Sequence, residues 1–209
     1  RDFQQGFLPS IFWILLICGL IAPADLSTAA LLFVTSLLVM FIAGVDLKYI
    51  GGLIGIGLLA FLLLANTAER GKVWKGRYAE WVSSLTDPNH DPGYQVEQAR
   101  GAMASGGLLG KGPGKSVQKN FLPQSSSDFI YAIIVEEFGS AGGFMLMILY
   151  LGLLFRIVIV ATKTESIFGT LLVLGVGIPI VFQALINMAV AVGLFPVTGQ
   201  PLPLISTGG

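Results

Sequence analysis

Apolar positions in this chain gather into five blocks, separated by short connections and by one wide polar region. The blocks run from Phe7 to Ile21, Leu26 to Val45, Ile50 to Ala65, Ala141 to Val160 and Ile167 to Leu194. A helix needs about 20 apolar residues to cross about 30 Å of hydrocarbon. The second and fourth blocks reach that length, and the first is short for it. The third carries Gly51, Gly52, Gly55 and Gly57, small faces on which helices approach closely. The fifth is the longest, and Gly175, Gly177 and Pro179 predict a kink or local opening within it. This pattern predicts an all-α integral membrane protein, a polytopic helix bundle with about five transmembrane helices.

The polar region, from Asn66 to Ser127, brings together Trp74, Tyr78 and Trp81 as interfacial anchors and the turn sequence DPNHDPG. An amphipathic helix is predicted from Tyr94 to Ala104. The region ends in GKGPGKSVQKNFLPQSSSDF, from Gly110 to Phe129, where three lysines and several glycines precede one aspartate at the edge of the next apolar run.

Composition strengthens the membrane reading. Only 11% of the 209 residues are charged, against about a quarter in soluble domains, and 54% are hydrophobic. Mean hydropathy is +0.80. The net charge is zero, but most lysines and arginines fall between Arg70 and Lys119. That count would place the large loop in the cytoplasm, yet the loop is about as long as the limit for the positive-inside rule. Lys48, Arg156 and Lys163 add basic charge on the opposite side, so charge leaves the topology open. The lone cysteine, Cys18, excludes an intrachain disulfide and reads as a small buried hydrophobe. His90 lies in the DPNHDPG turn, and no Cys/His cluster has metal-ligand spacing. The opening RDFQQGFLPS reads as a loop from the interior of a longer protein.

Ionisable residues at membrane depth are costly, so each is a candidate for function. Asp25, ahead of Ser27 and Thr28, suits a helix N-cap. Glu136 and Glu137 point about 100° apart on a helix, so one can face the bundle while the other reaches the interface. Gln183 and Asn187 share a helical face and suit interhelical hydrogen bonds. Asp128 opens an apolar helix after three serines, which again fits an N-cap. It also closes a segment with Lys111, Lys115 and Lys119 beside Gly110, Gly112 and Gly114. Glycines admit close backbone approach and lysines offer point charges for phosphate. The spacing is not that of a P-loop, and no strand precedes it. Cations and a carboxylate at a bilayer edge suit a lipid-linked, phosphate-bearing substrate. The cations would stabilise a departing diphosphate, and the carboxylate would accept a proton from an attacking hydroxyl.

Three stretches carry a resemblance to a known family. SGGLLGKGPGKSVQKNFLPQSSSDFIYAIIVEEFG, GLFPVTGQPLPLISTGG and DLSTA resemble, in order and spacing, motifs of the SEDS proteins (shape, elongation, division and sporulation). The resemblance implies a ten-helix bacterial inner-membrane glycosyltransferase that polymerises lipid II, of which this chain looks like helices five to nine. It divides the chain into three helices over residues 1–65, a large extracytoplasmic loop over 66–127, two helices over 128–194 and a further extracytoplasmic loop over 195–209. It gives Asp128 the role of general base toward the acceptor hydroxyl. Lys111, Lys115, Lys119, Ser116, Gln118, Glu136 and Glu137 become candidate substrate contacts, with no metal site. The alternating Gly110, Gly112 and Gly114, with Ser116, Gln118 and Lys119, resemble the division-type member more than the elongation-type one. Departures are Gln124, Ser126 and Ser127 where the family has Glu, His and Thr, Ala24 between Pro23 and Asp25, and the closing STGG.

The resemblance requires no cofactor and leaves room for a divalent cation on the diphosphate. The partners it implies are lipid II, a class B penicillin-binding transpeptidase and other division-complex membrane proteins, with no nucleic acid. Two other functions stay open on the residues. A lipid II transporter would use a break near Pro179 and the Gln183/Asn187 face as its path. A scaffold would only recruit division proteins.

Overall fold

The computed structural model describes residues 8–67, 69–87, 93–121 and 127–207. The His90 turn, Gln124, Ser126 and the first seven residues lie outside them. The described residues form seven α-helices and no strand: α1 (Leu8–Ile21), α2 (Leu26–Ile42), α3 (Leu47–Thr67), α4 (Glu69–Thr86), α5 (Tyr94–Gly106), α6 (Ile130–Lys163) and α7 (Ile167–Ala191). A short 3₁₀ turn covers Gln118–Asn120. By length and composition α3, α6 and α7 can cross a membrane, and the apolar α1 and α2 are shorter. The predicted polytopic helical architecture is therefore present, and the amphipathic helix appears as α5. Sequence reading missed α4, although Trp74, Tyr78 and Trp81 recur at the three- and four-residue steps of one helix face.

The helices belong to two compact units. In the first, residues 1–76 and 157–179, α2 packs on α1 and α3. Leu37, Met40, Ile50 and Leu53 form its core with Ile11 and Ile14 against them. Asp25 starts α2 as expected: Oδ1 accepts from the Ser27 and Thr28 N–H groups at 3.0 and 3.1 Å. Trp74 stacks edge-on against Phe61 and donates its indole N–H to Ser27 Oγ at 3.2 Å. Of the kink or local opening predicted at Gly175 to Pro179, the opening is not found, because α7 runs helically through Pro179. A proline ring crowds the carbonyl one turn earlier, which here belongs to Gly175.

The second unit, residues 77–156 and 180–209, has one core of Ala99, Ala102, Phe129 and Ala132 and another of Tyr150, Ala184, Met188 and Leu202. The alanines let α5 lie close on the start of α6. Here the helix break does occur, in α6 at Gly139, whose φ of 74° and ψ of 179° are open essentially to glycine alone. The break frees the carbonyls before it and the N–H groups after it. The turn following α5 takes up both sets. Lys111 N and Gly112 N donate to Glu136 O and Glu137 O at 3.0 and 2.9 Å. Gly107 O and Leu108 O accept from Ser140 N and Ala141 N at 2.8 and 3.3 Å. The two backbones touch at Gly110 and Gly139, where a Cβ on either would overlap the other strand.

Gly139→Ala should therefore lower the thermal midpoint of the full-length protein in detergent by several degrees. The backbone conformation alone costs about 1–3 kcal/mol for a residue with a Cβ, before the clash with Leu108 is counted. An unchanged midpoint, followed by tryptophan fluorescence, would show that this strap does not hold α6.

Candidate functional site

Two aspartates read from sequence as helix caps, and they behave differently. Asp25 spends its carboxylate on its helix. Asp128 does not: among the described residues no backbone N–H of α6 donates to it, and the first turn bonds to Phe129 O instead. Its Oδ1 accepts from Ser127 Oγ at 2.8 Å. The half-buried carboxylate is left at the mouth of the span, next to the buried Phe129.

The backbone under Asp128 is fixed from below. Asn187 Nδ2 donates to Asp128 O at 2.8 Å and to Gln200 O at 2.7 Å. Gln183 Nε2 donates to Pro201 O at 3.0 Å. Gln183 and Asn187 thus bind loop carbonyls rather than another helix, because the segment 193–207 folds against α7 where a neighbouring helix was expected. Ser206 Oγ donates to Ser127 O at 2.8 Å and accepts from Leu202 N at 2.8 Å. The Tyr150 hydroxyl closes on Pro203 O. Leu202, fully buried, anchors the segment in the core.

A second polar cluster surrounds Glu136, which is wholly buried. Lys111 Nζ lies 2.6 Å from Oε1. Ser116 Oγ donates to Oε2 at 2.5 Å, and Val117 N and Gln118 N donate at 3.2 and 3.4 Å. Ser105 Oγ adds a contact at 3.4 Å. A buried carboxylate needs a countercharge and several donors, and the glycine-lysine loop supplies both. The structure thus brings Lys111, Ser116 and the Gln118 backbone together on Glu136. On a continuous helix Glu136 would stand about 12 Å along the axis from Asp128. Glu137 is half-buried and gives its carbonyl to the strap. Lys115 is exposed and its stem lies along Gly112, with Cδ 3.5 Å from a Cβ there. Lys119 is exposed in the 3₁₀ turn, its N–H on Ser116 Oγ at 3.1 Å.

Among the described residues no three His, Cys, Asp or Glu side chains converge. A groove of about 880 Å³ lies within the first unit, lined by Thr35, Met40, Asp46, Tyr49, Leu171 and Pro179 among others. Gly175 and Pro179 line it, but Asp128, Glu136, Glu137 and the loop lysines do not.

A family model described as "Cell cycle protein", covering FtsW, RodA and SpoVE, matches residues 1–209. The chain belongs to this family. It is 36% identical over all its length to a probable peptidoglycan glycosyltransferase FtsW of Aliivibrio salmonicida, covering 52% of that protein. It is 38% identical to the protein of the same description from Escherichia coli O6:H1, covering 51% of it. It is 35% identical to stage V sporulation protein E of Bacillus subtilis, covering 56%. The chain spans about half the length of the curated relatives it matches. In three dimensions it is similar to a chain from work described as "Structural coordination of polymerization and crosslinking by a peptidoglycan synthase complex". The TM-score is 0.65 and the identity 27%, over 95% of this chain and 55% of that one. Membership of the FtsW/RodA/SpoVE family and the apolar helices together make this a multi-pass membrane protein.

Within this family member, the Lys111–Glu136 pair is testable by its energetics. Lys111→Met should destabilise the full-length protein by about 2–3 kcal/mol. That is below the cost of breaking a fully buried pair, since Lys111 keeps 33% of its side chain exposed. Lys111→Met/Glu136→Leu should recover part of the loss. Equal thermal midpoints for the single and double variants would sink this reading of the pair.

Proposed function

We propose that this chain carries the reacting carboxylate of a peptidoglycan glycosyltransferase that polymerises lipid II in the bacterial inner membrane, in its division-type form. The observation that carries the reading is Asp128. It is a carboxylate at the boundary of loop and apolar span, released from capping while its backbone is pinned by Asn187 and Ser127 O is held by Ser206. The relatives described as peptidoglycan glycosyltransferases supply the substrate class.

In the reaction the acceptor sugar's 4-hydroxyl loses its proton to Asp128 Oδ2 as its oxygen bonds the donor's anomeric carbon. The bond from that carbon to the diphosphate oxygen breaks on the opposite face, so configuration inverts and the lipid diphosphate leaves with the electron pair. Asp128 then passes its proton to water. Fixing both lipid-borne reactants in the membrane plane removes much of the orientational cost. A divalent cation, where one takes part, would find Asp128, among the described residues, as the one carboxylate at this position to hold it and would offset charge on the leaving group. A class B penicillin-binding transpeptidase as partner fits the similarity to a chain of a peptidoglycan synthase complex. The transport alternative relied on a helix break near Pro179, where α7 is continuously helical, and on the Gln183/Asn187 face, whose amides donate to Pro201 O, Asp128 O and Gln200 O.

Asp128→Asn in the full-length protein, assayed with its transpeptidase on purified lipid II, should reduce glycan polymer formation by about 10²–10⁴-fold, the range for losing a general base. Membrane insertion should be unaffected. Polymer formed at the parental rate would remove the proposal, and lipid II translocation in vesicles without polymer would favour transport.

A further inference from the structure

The loop lysines were the natural cations to place beside a diphosphate, and Lys111 turns out to be engaged by Glu136. A different cation shares space with Asp128. A Cβ built on Gly199, whose φ is 73°, would lie 3.6 Å from Asp128 Oδ2 and 3.7 Å from Arg77 Nη1. The oxygen not held by Ser127 and the guanidinium of α4 therefore face one small gap, kept open because residue 199 has no side chain. No ion pair closes it: Arg77 donates through Nη1 to Val197 O at 3.2 Å. That bond fixes the planar group and uses one of its five N–H donors. Arg77 also lines a cleft with Glu80, Trp81, Arg100, Gly193 and Val197, which carries a second arginine. Glu80, the acid in that cleft, is turned to Gly93 N at 2.8 Å.

We propose that Arg77 is a substrate-contacting residue that grips the phosphate oxygens of the lipid-linked donor beside Asp128, across the gap at Gly199. The inference rests on the glycosyltransferase reading above and assigns its anion-binding group. The chemistry favours arginine. A fixed guanidinium offers two parallel N–H groups to a phosphate, stays charged under all conditions, and separates the diphosphate's negative charge from the carboxylate. A lysine offers one rotatable point charge without that planar fork.

The test uses the full-length protein in detergent and two probes, undecaprenyl diphosphate and undecaprenol. Arg77→Met should weaken binding of undecaprenyl diphosphate by about tenfold or more, the loss expected for a charge-assisted hydrogen-bonded contact. Undecaprenol binding, which reports an intact fold, should stay as in the parent. Arg77→Lys should recover part of the diphosphate affinity. Gly199→Ala, which fills the gap, should weaken diphosphate binding while leaving undecaprenol binding in place. Polymerisation by Arg77→Lys should show a raised KM for lipid II with kcat less affected. Diphosphate binding by Arg77→Met equal to that of the parent would overturn the assignment, as would equal loss for both lipids. Because the binding arms need no turnover, they fail independently of Asp128→Asn: active Asp128→Asn would remove the glycosyltransferase reading, not the anion site.

Discussion

The glycine-lysine loop and the helix it packs on depend on repairing one broken helix. Interrupting α6 at Gly139 leaves carbonyls and N–H groups in a span where lipid offers no hydrogen bonds, and each unsatisfied group would cost several kcal/mol there. The turn between Gly107 and Gly112 satisfies them on both sides of the break. Such pairing works only if two backbones touch, which is why glycine occupies both Gly110 and Gly139. Once the turn is strapped down, Lys111, Ser116 and the Val117 and Gln118 N–H groups fall within reach of Glu136. A loop that looked flexible by composition is ordered by a buried carboxylate and a helix break together.

This ordering separates two jobs that the sequence seemed to give to one segment. The glycine-lysine loop serves α6, with Lys111 balancing a charge that would otherwise be stranded in the protein interior. Asp128 lies at the other end of the same helical stretch and is supported by different residues, from α7 and from the segment 193–207. Basic residues near a carboxylate in sequence are therefore not the ones that share its space. Arg77 reaches it from α4, more than one helix earlier in the chain.

The sequence made the helical membrane architecture, the cap at Asp25, the amphipathic α5 and the importance of the Gly110–Phe129 stretch legible, because each rests on local periodicity or on a local run of polar types. It placed the helix break at Gly175 to Pro179, where proline chemistry argued for one, and missed Gly139. A break is decided by what can satisfy the exposed backbone, and the partner strand at Gly107 to Gly112 lies some thirty residues away. The pairing of Lys111 with Glu136, the turn of Asn187 toward loop carbonyls and the approach of Arg77 to Gly199 are likewise contacts of long separation, which periodicity does not encode.

Asn187 shows how narrowly such long-range contacts constrain a residue. Its amide nitrogen serves two carbonyls at once, Asp128 O and Gln200 O, in a fully buried position. The carboxamide cannot turn over, since that would set Oδ1 against the same two oxygens. Aspartate in its place would present only acceptors to acceptors, and glutamine would push the amide a methylene further into Asp128. Asparagine is the residue that donates twice at this reach, so one side chain ties the start of α6 to the segment carrying Gly199. The Asp128–Gly199–Arg77 gap keeps its shape through that amide together with the Gln183, Ser206 and Arg77 bonds to the same two segments, although Asn187 need touch no substrate.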